Sequence, residues 1–82
     1  MPMVTVLYFA SLRDRLGRDD ETLDLPANST SAQVLAAVAQ RHPTCADTIA
    51  RSRLAVDQAF ADGPLTLSAN SELALIPPVS GG

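Results

Sequence analysis

The sequence predicts an α+β fold in which one main helix packs across a mixed sheet of four or five strands. Three observations support this prediction. Apolar, strand-like segments lie near both ends of the chain, at residues 3–10 and 72–76. The clearest helical pattern lies between the second and third predicted strands. Turn signals rich in Gly, Pro, Asn and Ser separate the elements. The order strand, strand, helix, strand, strand fits one helix layer on one sheet.

Residues 3–10 form the first predicted strand, and both of its faces are largely apolar. Alternation places Val4, Val6 and Tyr8 on one face and the residues between them on the other. A strand in a small domain usually presents one polar face to water. The pattern therefore indicates that something covers the second side of the sheet as well.

A short helix and a second strand follow. Residues 11–17 predict one or two helical turns, with Ser11 as the N-cap and Gly17 as the C-terminal stop. Residues 18–21 are expected to form a solvated turn. Residues 22–25 alternate as the second strand, with Leu23 and Leu25 facing the core, and Pro26 ends it.

The main helix begins after Thr30, which has capping-box spacing with Gln33. Its apolar stripe consists of Val34, Leu35 and Val38. Pro43 forces the preceding residue out of the helical region and so ends the helix at His42. We assign His42 as a helix C-terminal residue rather than a catalytic base, because no carboxylate or nucleophile accompanies it in the sequence.

The second half supplies a short helix and two more strands. Residues 44–51 predict the helix, with Ile49 as its apolar anchor and Cys45, interpreted as a packing cysteine, at its start. Residues 54–60 alternate as the third strand, residues 65–67 form a short crossing segment, and residues 72–76 form the last strand. This order is that of the ubiquitin-like β-grasp, in which the first and last strands are neighbours.

The composition of the chain argues against several classes of function. The 82 residues suffice for one domain, and one cysteine excludes a disulfide framework and a multi-cysteine metal site. The net charge is −3 and all six basic residues are arginines, which disfavours nucleic-acid binding. No apolar run approaches the roughly 18 residues of a membrane span. We therefore expect a cytoplasmic protein that uses neither metal nor membrane.

The carboxyl-terminal segment is the most informative stretch. The β-grasp domain is predicted over 1–76, and residues 77–82 form an extended tail composed of Pro77, Pro78, Val79, Ser80, Gly81 and Gly82. Two prolines stop the strand and stiffen the exit, because each fixes φ and neither donates a hydrogen bond. Two glycines without Cβ atoms make the tip as thin as a polypeptide can be. Such a tail suits insertion into a narrow channel of another protein.

Phe9, Phe60 and Ile76 are the predicted partner interface, continuing into the tail. In a β-grasp the first and last strands lie side by side, so Phe9 and Ile76 can lie together near the tail exit. The alternative is that both phenylalanines are core residues. A free apolar cluster of this kind usually marks an interface.

The segments 7–13 (LYFASLR) and 54–58 (LAVDQ), together with the tail PPVSGG, resemble the MoaD-type small subunit of molybdopterin synthase, a sulfur carrier. The resemblance spans nearly the whole chain, and the tail is its specific part. Two departures occur: Asp57 stands where the family usually has Asn, and Asn70-Ser71 where it has Gly-Asp. Asn adopts left-handed φ nearly as readily as Gly, so the turn at Asn70-Ser71 tolerates the change, and neither departure bears on the chemistry.

The resemblance implies a pathway. An E1-like (MoeB-type) enzyme would use ATP to adenylate the Gly82 carboxylate, and a sulfurtransferase would convert it to a thiocarboxylate. The tail would then enter the large catalytic subunit (MoaE-type), where sulfur passes to a cyclic pterin precursor. The chain itself would bind no cofactor and would not be catalytic alone.

Three alternatives remain open from the sequence. A thiamine-pathway sulfur carrier also ends in Gly-Gly, but its tail typically lacks the Pro-Pro-Val-Ser lead-in. A ubiquitin-like modifier would join Gly82 to a target lysine through an amide. An interaction domain would use neither chemistry.

Overall fold

The computed structural model describes residues 2–78. Within them lie five strands, three α-helices and one 3-10 turn. In chain order these are β1 (Met3–Tyr8), α1 (Ala10–Leu16), β2 (Asp20–Asp24), α2 (Ser31–Arg41), the turn Pro43–Cys45, α3 (Ala46–Arg51), β3 (Arg53–Val56), β4 (Ala59–Phe60) and β5 (Glu72–Ile76).

The strands form one mixed sheet in the order β2-β1-β5-β3-β4. The central pair, β1 and β5, is parallel, with Val6 opposite Leu73. The other three pairs are antiparallel. The predicted mixed sheet and the neighbouring first and last strands are therefore confirmed. The carboxyl end of β5, from which the tail departs, lies in the middle of the sheet.

Alternation along the strands determines which side chains reach the core. Val4, Val6 and Tyr8 of β1 are buried, while Met3 on the opposite face is 53% exposed. All three helices pack against the Val4 face. The resulting core cluster is Val4, Val6, Tyr8, Leu12, Leu23, Leu25, Val34, Val38, Cys45, Ile49, Leu54, Leu67, Leu73 and Leu75. Because the helices occupy one face only, the other face of the sheet is left open.

The α2 capping box is confirmed. Thr30 Oγ1 accepts a hydrogen bond from the Gln33 N–H at 3.2 Å, and Gln33 Oε1 accepts one from the Thr30 N–H at 2.8 Å. The predicted stripe faces the core, with Val34 and Val38 fully buried and Leu35 partly buried. The crossing segment also packs as expected, since Leu67 is buried.

The prediction of Ser11 as the N-cap of α1 is wrong. The helix begins at Ala10 and its N-cap is Phe9, whose side chain makes no capping hydrogen bond. The Phe9 carbonyl instead accepts from the Leu12 N–H at 3.1 Å. Gly17 ends the helix as predicted, with a left-handed φ of 71° that suits a residue without Cβ.

The prediction of one strand over residues 54–60 is also wrong, because a two-residue turn divides it. Asp57 and Gln58 have positive φ angles of 49° and 74° and join β3 to β4 as a hairpin. Positive φ at both central residues is the requirement of a type I′ turn, which Asn, Asp and Gly satisfy best. Asp57 also fixes the turn to β5, since its Oδ1 accepts the Glu72 N–H at 3.0 Å.

Candidate functional site

The open face of the sheet contains an apolar depression of about 270 Å³ that runs along β5 from Glu72 to Ile76. Ala55 of β3 and Ala74 and Ile76 of β5 form its floor, and small side chains there leave room above the sheet. The complete lining is Leu7, Phe9, Ala55, Gln58, Phe60, Glu72, Ala74 and Ile76. All three residues of the predicted interface therefore line one depression.

Phe9 and Phe60 are exposed, by 43% and 55%, so the alternative of two core phenylalanines is excluded. Phe9 directly follows β1, and Phe60 lies on the edge strand opposite Ala55. The Arg53 guanidinium lies 3.9 Å from the centre of the Phe60 ring, a cation–π contact that favours one ring orientation. The depression thus offers two exposed aromatic side chains and an apolar floor, which suit binding to another protein.

The root of the tail lies beside this depression. Ile76 lines it, Pro77 is buried, and Pro78 is the first exposed residue after β5. Pro77 therefore packs with the body of the domain, one residue beyond the boundary that the sequence indicated. The remaining predicted tail residues, Val79, Ser80, Gly81 and Gly82, lie outside the described residues.

Residues 2–78 lack two features, a cluster of metal ligands and a helix that could span a membrane. This part of the chain contains no group of three His, Cys, Asp or Glu side chains placed to hold a metal ion. None of its helices combines the length and apolar character that a bilayer span requires. Cys45 is buried in the core, as expected of a packing cysteine.

A buried carboxylate escaped the sequence reasoning. Residues 18–21 were expected to form a solvated turn, but β2 begins at Asp20 and the Glu21 side chain is only 4% exposed. Glu21 Oε1 accepts hydrogen bonds from Tyr8 Oη at 2.6 Å and from His42 Nε2 at 2.7 Å. Arg41 Nε donates to Glu21 Oε2 at 2.9 Å. The Glu21 cluster, comprising Glu21, Tyr8, Arg41 and His42, joins β1 and β2 to the end of α2.

These contacts change the acidities of the cluster. Burial alone would raise the pKa of the Glu21 carboxyl, but hydrogen bonds from His42, Tyr8 and Arg41 outweigh it and lower that pKa from 4.5 to about 2. Burial, reinforced by the hydrogen bond to Glu21, raises the pKa of the Tyr8 hydroxyl. Glu21 is therefore a stable anion and Tyr8 a stable neutral donor at neutral pH.

The Glu21 cluster is structural. Its hydrogen bonds join residues of the fold to one another, and no buried side-chain nitrogen or oxygen in the described residues lacks a partner. The assignment of His42 as a helix C-terminal residue holds, although the reason given for it was wrong, because a carboxylate does accompany it. The available signal was the alternation itself, since Glu21 shares the core-facing parity of Leu23 and Leu25.

Replacing Glu21 with Gln is expected to lower the free energy of unfolding at pH 7 by about 2 kcal/mol, because hydrogen bonds to a buried charged group are lost. A depressed carboxyl pKa stabilises the fold above the unfolded-state value and loses that effect as pH falls from about 4.5 toward about 2. The wild-type stability should therefore decline across this range more steeply than that of Glu21→Gln. Urea unfolding at several pH values measures both effects.

Asp24→Asn is the matched control, since Asp24 is exposed on the same strand. It should change the stability at pH 7 by less than about 0.5 kcal/mol. Equal losses in the two variants, with parallel pH profiles, would contradict the assigned role of Glu21.

Comparison with known proteins gives a consistent family. The model of the ThiS family matches residues 6–82. The molybdopterin synthase sulfur carrier subunit of Homo sapiens is 37% identical over 96% of this chain and 93% of its own length. The corresponding subunit of Dictyostelium discoideum is 36% identical over 94% of this chain and 93% of its own.

Solved structures share the fold. Small archaeal modifier protein 1 of Haloferax volcanii superposes with a TM-score of 0.81 at 22% identity, covering 96% of this chain and all (100%) of its own. A chain in the complex of subunits 1 and 2 of the molybdopterin-converting factor from Helicobacter pylori gives a TM-score of 0.68 at 20% identity, covering 98% and 99%. With the fold and the family match in agreement, the chain belongs to the ThiS family, among the sulfur carrier subunits of molybdopterin synthase.

Proposed function

We propose that this protein carries sulfur for a molybdopterin synthase as a thiocarboxylate on Gly82. The observation that carries the proposal is the full-length likeness to sulfur carrier subunits, with a family match that extends to residue 82 and so includes the Gly-Gly end. The apolar depression beside the tail root adds a surface on which a recipient protein could dock.

The chemistry begins with activation. A carboxyl terminus with a pKa near 3.5 is an inert carboxylate at neutral pH. In the proposed sequence, a Gly82 carboxylate oxygen attacks the α-phosphorus of ATP on an E1-like enzyme, and pyrophosphate leaves. A persulfide of the sulfurtransferase then attacks the acyl carbon and displaces AMP, and a thiol reduces the resulting acyl disulfide. The product is a thiocarboxylate, which carries sulfur without using a cysteine.

The proposed recipient is the large subunit of the synthase. The Helicobacter pylori neighbour is a complex of two subunits of the molybdopterin-converting factor, which supports an assembly of this kind. Phe9, Phe60 and Ile76 would contact the large subunit while the tail enters its active site. The precursor is an anionic pterin phosphate, and this chain has a net charge of −3 and no lysine. The cationic substrate site therefore belongs to the large subunit.

Intact-mass analysis of the protein purified from its native host tests the function. A fraction should carry one oxygen-to-sulfur exchange, which fragmentation should localise to Gly82. Co-purification with a large synthase subunit would identify the pathway, whereas co-purification with thiazole-forming enzymes would favour the thiamine-type carrier. Amide conjugates between Gly82 and lysines of other proteins, without the exchange, would favour the modifier alternative.

Ser80 is expected to be dispensable as a nucleophile. It has no His or Asp partner in sequence proximity, and nucleophilic catalysis requires a base held in hydrogen-bonding range. Ser80→Ala should therefore retain most of the rate of molybdopterin formation in a reconstituted synthase charged with thiocarboxylate. Complete loss of the rate with unchanged affinity for the large subunit would refute this expectation.

A further inference from the structure

A second depression, of about 300 Å³, lies on the helical side of the tail root. We call it the arginine cleft: it is formed by Ser11 and Arg15 of α1, Thr48 and Arg51 of α3, and Pro78. It shares no lining residue with the apolar depression on the sheet face. The two depressions therefore flank the tail root with different chemistry.

The two arginines of the cleft are held in place by hydrogen bonds to uncharged acceptors. Arg15 donates from Nη1 to Thr48 Oγ1 at 2.9 Å and from Nη2 to the Thr44 carbonyl at 3.0 Å. Arg51 donates from Nε to the Asp47 carbonyl at 3.3 Å. Among residues 2–78, neither forms an ion pair with a carboxylate, whereas Arg13, Arg18 and Arg41 each do.

Two guanidinium groups that pair with no carboxylate of residues 2–78 form a local positive site in a chain whose net charge is −3. Guanidinium groups match carboxylates in shape and bind them through paired hydrogen bonds. Because Arg15 is already fixed by two acceptors, less side-chain entropy is lost when it meets a ligand. The arginine cleft is thus suited to binding an oxyanion. Its position beside the root of the tail indicates which oxyanion binds there.

We propose that Arg15 and Arg51 bind a carboxylate side chain of the large subunit, at the rim of the channel that receives the tail; this rests on the proposed function. The four residues after Pro78 can span at most about 14 Å. A protein that holds Gly82 in its active site must therefore bring the channel entrance close to Pro78 and the arginine cleft. A carboxylate fixed on that entrance also meets the arginines at a high effective concentration, which a free anion lacks.

The test measures the affinity of the full-length chain for the purified large subunit at low salt. Arg51→Gln should weaken binding about fivefold, and Arg51→Glu more than tenfold, because it places a negative charge opposite the carboxylate. Gln40→Glu is the matched control: it makes the same change in net charge as Arg51→Gln, at an exposed site on α2. It should leave the affinity within twofold of wild type. The difference between Arg51→Gln and wild type should shrink at about 0.5 M salt.

Arg15 is tested separately because its hydrogen bonds also join α1 to α3. Arg15→Lys keeps the charge but loses the planar guanidinium group. It should weaken binding to the large subunit by more than the fall in its melting temperature accounts for. Nuclear magnetic resonance titration of the free chain with inorganic phosphate tests the alternative that the cleft binds a small anion. Phosphate binding at Ser11 and Thr48 in the low millimolar range, with unchanged affinity of the variants for the large subunit, would overturn the proposal in favour of a small-anion site.

The failure of this proposal is distinguishable from failure of the proposed function. If wild type binds the large subunit and both Arg51 variants bind equally well at low salt, the carboxylate contact is wrong and sulfur carriage stands. If wild type itself neither binds the large subunit nor carries sulfur on Gly82, the proposed function fails and this proposal fails with it.

Discussion

Deleting Gly82, or adding one residue after it, is expected to abolish sulfur transfer while leaving the fold intact. The reacting atom is the terminal carboxyl carbon. An added residue moves this carbon away from the position at which the activating enzyme and the synthase act on it. A displacement of a reacting group by even one ångström can cost about a hundredfold in rate. One residue shifts the terminus by about 3.3 Å along an extended chain.

The readout is molybdopterin formation in a reconstituted system, with thiocarboxylate content measured by intact mass. Gly81→Leu should act in the same way by widening the tip of the tail, and its melting temperature should match that of wild type. A one-residue extension at the amino terminus is the control and should retain activity. A carboxyl-terminally extended variant that still supported molybdopterin formation would rule out the tail mechanism.

Two features that depend on residues close together in the sequence were predicted correctly. The capping box of Thr30 and Gln33 and the stop at Gly17 each depend on a few adjacent residues, and both are present in the structure. Alternation in β1 also sorted its residues correctly into two faces, because a strand has a period of two, but it did not show which face is buried, since both are apolar. The second face, for which the pattern predicted a cover, carries no helix in the described residues, and Phe9 on it is exposed.

Features that depend on contacts distant in sequence were missed. Glu21 was assigned to a solvated turn because its partners, Tyr8 and His42, lie 13 and 21 residues away. The hairpin turn at Asp57 was hidden because a two-residue turn preserves the alternation of the flanking strands. The arginine cleft was equally invisible, since Arg15 and Arg51 meet only when α1 packs beside α3.

The second large expected effect is a loss of affinity for the large subunit when the predicted interface is mutated. Phe9→Ala and Phe60→Ala are each expected to weaken binding to the large subunit by about 2 kcal/mol or more, roughly 30-fold, because exposed aromatic anchors dominate interface energies. Their effect on stability should be small. The backbone capping contacts of Phe9 do not use its side chain, and Phe60 loses mainly its contact with Arg53.

Two controls separate binding from folding. Met3→Ala removes an equally exposed side chain from the same sheet face but outside the depression, so it should change neither property. Leu73→Ala removes a fully buried side chain and should lower the free energy of unfolding by about 2–5 kcal/mol. Its folded fraction should bind normally, because Leu73 faces the helices. If Phe9→Ala behaved like Leu73→Ala, with collapsed stability and normal binding of the folded fraction, the Phe9 side chain would stabilise the fold rather than bind the partner, and the interface assignment would be wrong.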